Sequence, residues 1–455
     1  MARLFGTDGV RGVANQNLTP EMAFGLGRAA GLYFKRARAQ APGEREGRPH
    51  ILVGKDTRVS GDMLAAALAA GITATGVDVW ELGVLPTPGV AFLCRQLAAD
   101  AGVMISASHN PVEDNGIKFF DCQGFKLNDA VEDEIEALYK KGIAPEERAV
   151  GVAVGRIHDH RAAQKIYEDF LVSTVPVSLS GLQVVVDCGF GAAYDLAPRV
   201  FKRLGAEVTA LHDRNDGGRI NVKCGSTHPG ILQKEVVAYG AQVGIAHDGD
   251  ADRVIAVDEK GRLVDGDQII TICGLDLLRE GKLKNNKVAV TVYSNLGLIQ
   301  AFKKQGAEVT ITANGDRYVL EALRENDLIL GGEQSGHIIF LEKNSTGDGI
   351  LTALQLLAAL AKSKRRLSEL AAQMERLPQV LENVRVARKD GWDSNPRIKE
   401  AVQRAEKELQ GVGRIFVRAS GTEPLIRVMA EGPIEEELQR LVKTVVEVIR
   451  QEQGV

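Results

Sequence analysis

The sequence predicts three related α/β domains in series, followed by a smaller α+β domain. A strand at 184–187, a helix and the run FKRLGAEVTA at 201–210 resemble a strand at 288–292, a helix and FKKQGAEVTI at 302–311. The shared FK-x-x-GAEVT points to duplication of a strand–helix–strand unit, the unit that builds parallel sheets. The segment 51–82 has the same rhythm. Past a charged helical stretch at 363–377, which suggests a linker, the order changes to strand, helix, two strands and a closing helix, a unit of about 75 residues. A chain of 455 residues has room for about three or four domains. The expected boundaries are 1–160, 161–260, 261–375 and 376–455.

Each element has a local reason. Thr19-Pro20 sets a cap residue before a proline at the first helical position, opening a helix over 21–37. A strand at 51–54 leads to a polar turn at 55–60, an alanine-rich helix to about Gly71 and a strand at 77–82. The apolar run 101–105 is a strand that stops at a loop closed by Pro111. Asp114-Asn115-Gly116 reads as a turn before a strand that carries Lys118. Strands at 243–246 and 254–257 flank an acidic loop, and Asp265 reads as the cap of a helix starting near Gln268. Apolar runs at 328–330 and 338–341 flank a glycine-rich loop. The last domain has a strand at 380–386, a helix at 396–409, strands at 415–417 and 425–429 and a helix at 434–450.

Composition narrows the function. The chain is 44% apolar and 25% charged, as in ordinary globular proteins. A net charge of −4 supplies no basic field for nucleic acid, so an anionic substrate has to be caught by local groups. The five cysteines show no CxxC spacing, which argues against a zinc ribbon or a disulfide framework and for free thiols. The opening MARLFGTDGVRG has no signal-like apolar run, and no stretch reaches the ~18 apolar residues of a membrane span. A reducing cytoplasm without membrane partners is the expected setting.

Four constellations carry chemistry. In Asp248-Gly249-Asp250-Ala251-Asp252-Arg253, three carboxylates alternate with the two smallest residues. Small residues let the backbone curl and aim all three acids at one centre, where they repel unless a cation sits among them. Hard oxygen ligands suit Mg²⁺. A calcium EF-hand is excluded, because Arg253 stands where that loop needs glycine and strands flank the run. The second is Ser106-Ala107-Ser108-His109-Asn110-Pro111 at a strand end, where α/β sheets place reactive groups. A serine hydroxyl there needs activation, which a metal could supply. Lys118 downstream could bring an ammonium near. The third, Gly331-Gly332-Glu333-Gln334-Ser335-Gly336-His337, can offer a carboxylate, a hydroxyl and an imidazole to sugar hydroxyls. The fourth is Arg418-Ala419-Ser420-Gly421-Thr422-Glu423-Pro424 with Arg427, in which Gly421 and two arginines make a phosphate cradle. Taken singly, each also reads as a plain polar turn. P-loop and nucleophile-elbow signatures are absent.

These runs, SASHNP, DGDADR, GEQSGH and RASGTEP in that order, resemble the motifs of the α-D-phosphohexomutases along nearly the whole chain. The resemblance implies three doubly wound domains and a TBP-like fourth around a central cleft. It implies Ser108 as phosphate carrier and as a metal ligand beside Asp248, Asp250 and Asp252, with Arg11, His109 and Lys118 near the transferring phosphoryl. Lys118 is a candidate acid/base or charge neutraliser. Glu333, Ser335 and His337, with Arg253, match sugar-binding positions. Arg418, Ser420, Gly421, Thr422 and Arg427 match the grip on the non-reacting phosphate. FGTDGVRG (5–12), LTPE (18–21), CGSTHPG (224–230), GDRYV (315–319), GGEQSGHIIF (331–340) and STGDG (345–349) are similar to the branch acting on hexosamine phosphates. That branch implies Mg²⁺, a glucosamine 1,6-bisphosphate intermediate, a role in amino-sugar and cell-wall precursor supply, and a homodimer. The rival readings are a mutase for mannose or glucose phosphates and a catalytically silent sugar-phosphate-binding protein. Phe190, Tyr293 and Asn314 depart from the family pattern outside the four motifs.

Overall fold

The structure, a computed structural model, describes residues 3–6, 8–40, 47–142, 144–420 and 424–454. The chain forms two compact units, Met1–Val292 with Thr310–Ala372, and Tyr293–Val309 with Gln373–Val455. No helix among the described residues is long and apolar enough to cross a membrane.

The duplication read from FK-x-x-GAEVT has a structural counterpart that covers three sheets. The first orders its strands Val10–Val13, Asp114–Asp121, Ala101–Ile105, His50–Lys55, Asp78–Val84, Ile157–Asp159. The second runs Leu263–Val264, Val254–Asp258, Val243–His247, Gln183–Asp187, Glu207–Leu211. The third runs Glu308–Thr312, Lys287–Thr291, Leu330–Gly332, Ile338–Phe340. In each, a leading strand (His50–Lys55, Gln183–Asp187, Lys287–Thr291) lies parallel to a later one (Ala101–Ile105, Val243–His247, Leu330–Gly332). That later strand then pairs antiparallel with the next in the chain. The loop at this parallel-to-antiparallel corner holds, in order, Ser108, the three aspartates and Glu333. Ala101–Ile105 and Val243–His247 are buried at every position, which explains their unbroken apolar sequence.

Helices cover these sheets. Thr19 Oγ1 accepts the Met22 N–H and starts the helix Pro20–Gln40 as its sequence predicts. That helix lies directly on Ser60–Thr73, where a side chain at Gly71 would come within 2.1 Å of the Phe24 carbonyl. Asp265 and Gln268 cap the helix Gly266–Arg279 reciprocally. The Asn115-Gly116 turn is not found. Both residues lie inside the strand Asp114–Asp121, opposite Gly12 and Arg11, and Asn115 Nδ2 donates to Ser60 Oγ at 2.9 Å. The strand Val10–Val13 supplies the partner that a local hairpin would have made unnecessary.

In the second unit, Gln379–Arg385, Leu425–Glu431 and Arg414–Ala419 form an antiparallel sheet in that order, packed on Pro396–Glu408 and Glu435–Gln453. The helix Leu296–Lys304, part of the third strand–helix–strand repeat in sequence, belongs to this unit. The buried Glu431 carboxylate accepts the Leu296 N–H at 2.7 Å and Arg414 Nε at 2.9 Å.

Candidate active site

Ser108 Oγ donates to Asp248 Oδ2 at 2.7 Å, joining the corner loop of the first sheet to that of the second. Oxygens of Asp248, Asp250 and Asp252 lie within 4.8 Å of one another and all three residues are buried. The alternation with small residues is structural. A side chain at Gly249 would come within 2.5 Å of the Ser108 carbonyl, and Ala251 takes a left-handed φ of 54°.

Each acid is partly satisfied. Asp250 Oδ2 accepts Thr87 Oγ1 at 2.6 Å and Lys118 Nζ at 3.2 Å, and Asp248 Oδ1 accepts the Arg253 N–H at 3.2 Å. Asp250 Oδ1 and Asp252 Oδ1 are buried with no hydrogen-bond partner. Burial, with Asp252 and Asp250 alongside, pushes Asp248 well above the usual carboxylate range. Orphaned hard oxygens and mutual repulsion are what a divalent cation would cure, so the donor set fits one. Asp187, His212 and Cys224 form a second cluster of similar size. There Asp187 already accepts the N–H groups of Gly189 at 2.9 Å and Gly225 at 3.0 Å. Burial beside Asp187 also pushes the Cys224 thiol up to about 12. That cluster ties loops together and leaves no comparable vacancy of charge.

The groups around Ser108 divide by charge state. Burial, with the Arg253 and Arg11 guanidinium groups, lowers His109 to about 4, so its imidazole is neutral, with Nδ1 3.4 Å from Ser108 Oγ. Burial favours the neutral amine of Lys118, but Asp250, Asp252 and Asp8 outweigh it and hold the ammonium charged. Arg11 pairs with Asp8 at 3.2 Å and reaches Asn110 Oδ1 at 3.5 Å. Lys126 bridges Asp8, at 2.9 Å, and Asp316. A cavity of about 400 Å³ opens here, lined among others by Asp8, Lys118, Lys126, Asp316 and Arg317.

The third loop contributes unevenly. Glu333, pushed up by burial, accepts Ser335 Oγ at 3.3 Å, and Ser335 is exposed. His337, expected to face sugar, is 3% exposed with both ring nitrogens engaged. Nε2 accepts the Gly347 N–H at 3.2 Å, so the proton is on Nδ1, 3.5 Å from Asp252 Oδ2. It stands beside the acid and also lines the cavity. Arg253 bridges to His337 through the backbone, and its guanidinium lies 3.9 Å from Asp252 Oδ1.

In the second unit, Arg418 and Arg427 stand opposite each other on neighbouring strands. The Arg418 guanidinium lies over the Tyr293 ring, 5.5 Å from its centroid. Ser420 is buried, and its carbonyl accepts Lys389 Nζ at 2.9 Å. Gly421 and Thr422 lie outside the described residues. Sequence reasoning passed over Thr87, Asp8, Lys126 and Asp316. The FGTDGVRG and GDRYV runs contain Asp8 and Asp316, and nothing local marked Thr87 or Lys126.

Comparison with known proteins shows the family. The phosphoglucomutase/phosphomannomutase models for α/β/α domains I, II and III match residues 2–146, 163–261 and 265–377, and the C-terminal domain model matches 381–448. Phosphoglucosamine mutase of Symbiobacterium thermophilum is 56% identical over 99% of this chain and 100% of its own length. That of Desulforamulus reducens is 54% identical over 99% of both. Among solved structures, a phosphoglucomutase/phosphomannomutase family protein from Burkholderia thailandensis superposes with a TM-score of 0.80 at 26% identity, covering 98% of this chain and 97% of that one. Aspergillus fumigatus N-acetylphosphoglucosamine mutase, solved with GlcNAc-6P and magnesium, shares the fold with a TM-score of 0.70 at 20% identity, over 98% of this chain and 95% of that one. By sequence, fold and site, this chain belongs to the phosphoglucomutase/phosphomannomutase family, the α-D-phosphohexomutases.

Proposed function

We propose that the chain interconverts glucosamine 6-phosphate and glucosamine 1-phosphate, with Ser108 as the phosphoryl carrier. The observation that carries the chemistry is the Ser108 hydroxyl 2.7 Å from Asp248, at the edge of three buried acids. The substrate assignment is supported by the relatives named phosphoglucosamine mutase.

Phosphorylated Ser108 gives its phosphoryl group to the free hydroxyl of a bound hexosamine phosphate. The P–O bond to Oγ breaks, a P–O bond to the sugar forms, and the sugar hydroxyl's proton ends on Oγ. The glucosamine 1,6-bisphosphate then reverses its orientation and returns its other phosphoryl group to Ser108. Such transfers need positioning and charge neutralisation more than covalent chemistry. Mg²⁺ held by Asp248, Asp250, Asp252 and the Ser108 oxygen would supply electrophilic stabilisation of the phosphoryl group. Lys118 and Arg11 neutralise the phosphoryl oxygens. Neutral His109 stands with Nδ1 3.4 Å from Ser108 Oγ, within reach of the reacting oxygen. Glu333 and Ser335 orient the sugar, and His337 holds Asp252. Arg418, Ser420, Gly421, Thr422 and Arg427 grip whichever phosphate is not reacting.

The test is a coupled assay on glucosamine, mannose and glucose 6-phosphates, supplemented with bisphosphate, with mass spectrometry of Ser108. Glucosamine 6-phosphate should be preferred, and Ser108→Ala should lose turnover by at least about a thousandfold. Preference for mannose or glucose phosphate would overturn the substrate, and an active Ser108→Ala would overturn the carrier.

A further inference from the structure

Ser108 has φ +54°, a left-handed conformation that side-chain-bearing residues avoid. Its neighbours explain how it is held there. The Ser108 carbonyl accepts two hydrogen bonds, from Arg58 Nη2 at 2.9 Å and Asn221 Nδ2 at 2.8 Å. Both donors continue along the loop. Arg58 also binds the carbonyls of Asn110 and Asp114, each at 2.9 Å, and that of Pro111. Asn221 reaches the Asn110 carbonyl at 3.3 Å. The Arg58 side chain is 0% exposed, with Nε on Asp56 Oδ2 at 3.0 Å. On the other side of the residue, the Ser108 N–H donates to Ser106 Oγ at 2.9 Å, and that hydroxyl donates to Asp56 at 2.5 Å. Both peptide groups of Ser108 are therefore tied to one buried Asp56–Arg58 pair.

Asn221 comes from elsewhere. It lies between the strand Glu207–Leu211 and the helix Gly230–Tyr239 of the second sheet, and its N–H is anchored on the Gly189 carbonyl at 3.0 Å. That sheet also carries Asp248. Its amide thus registers the serine's backbone against the framework that holds the acids.

We propose that Arg58 and Asn221 are positioning residues that lock Ser108 in its left-handed conformation and so aim Oγ at the acid cluster. Relaxation of Ser108 to right-handed backbone would release its carbonyl from both donors and swing Oγ away from Asp248. The inference rests on the reading of Ser108 as phosphoryl carrier.

The decisive variant is Asn221→Gly in the full-length, Mg²⁺-loaded, phosphorylated enzyme. Asn221 has φ +61°, which glycine adopts freely, so the variant removes the amide without adding strain. The expected result is a kcat lower by about tenfold, the size of a lost pair of ordinary hydrogen bonds, with KM and melting temperature essentially unchanged. The ³¹P resonance of phospho-Ser108 should shift or broaden as the residue samples a second conformation. Arg58→Lys, which keeps the charge on Asp56 but loses the forked donor, should lower kcat further; if it does not fold, Asn221→Gly alone decides. An Asn221→Gly enzyme with wild-type kcat and an unchanged ³¹P signal overturns the proposal. So does a parallel loss of kcat, KM and melting temperature, which marks a purely structural anchor. A wild type with turnover but no phosphoserine overturns the carrier reading and this inference with it, whereas failure confined to the variants leaves the carrier reading standing.

Discussion

Lys118→Met should tighten divalent-cation binding while it cripples turnover. Methionine keeps the length and the buried stem and deletes only the charge. Lys118 Nζ is 3.2 Å from Asp250 Oδ2. A cation held by that carboxylate, at about 2.1 Å from an oxygen, would put the two positive centres roughly 5 Å apart. Charges of +1 and +2 at that separation repel by about 1.7 kcal/mol at the dielectric of bulk water, and by about 7 kcal/mol at an effective value of 20. Even the lower figure corresponds to more than tenfold in affinity. Titration calorimetry with Mg²⁺, repeated with Mn²⁺ followed by electron paramagnetic resonance, reads the gain directly. Single-turnover transfer from phosphoserine should fall by about a hundredfold or more, because a preorganised charge on the phosphoryl oxygens is gone. If the folded variant binds cation no more tightly than wild type, Lys118 serves to shape the acid cluster, and the electrostatic account of the site is wrong.

Two further predictions concern stability. The fully buried Tyr167 hydroxyl donates at 2.8 Å to Asp348, which caps the helix Gly349–Ser363 through the Leu351 N–H at 2.9 Å. Tyr167→Phe should cost about 1.5–3 kcal/mol in denaturant unfolding, and an unchanged midpoint would count against the bond's importance. Burial lowers His247 from 6.5 to about 4, with Nδ1 3.2 Å from the Arg253 carbonyl and Nε2 unpartnered. A depressed folded value means stability that is full above about pH 6.5 and lost as pH falls towards 4, about 2 kcal/mol between pH 7 and pH 5. His247→Gln should flatten that acid limb, and an identical slope in the variant would show that another group sets it.

Much of the frame was legible because burial forces simple patterns. The runs at 101–105 and 243–246 had to be apolar to lie between helix layers, and both are strands with every side chain buried. The alternation of aspartate with glycine and alanine likewise followed from the need to curl a chain so that three acids face one centre. What escaped were pairings set by other segments. Asn115-Gly116 has the letters of a turn, but the strand Val10–Val13 recruits it into a sheet. Arg58 sat in a run readable only as a polar turn, because its five acceptors are spread over residues 56–114. The helix Leu296–Lys304 carries the repeat's sequence, yet which unit it joins is decided by Glu431, more than a hundred positions away. Nothing in the GEQSGH run shows that the His337 imidazole, at the cavity wall, also lies 3.5 Å from Asp252.

The corner that recurs in three sheets has a consequence for how such a molecule can change. Ser108, the aspartate trio and Glu333 occupy the same address in three copies of one plan, and each copy carries a different fragment of the chemistry. No copy is competent alone, so selection acts on each corner as a separate tool mounted on a common handle. On the proposed reading, substitutions at the Glu333 corner act on the sugar while the phosphoryl-handling corners keep their geometry.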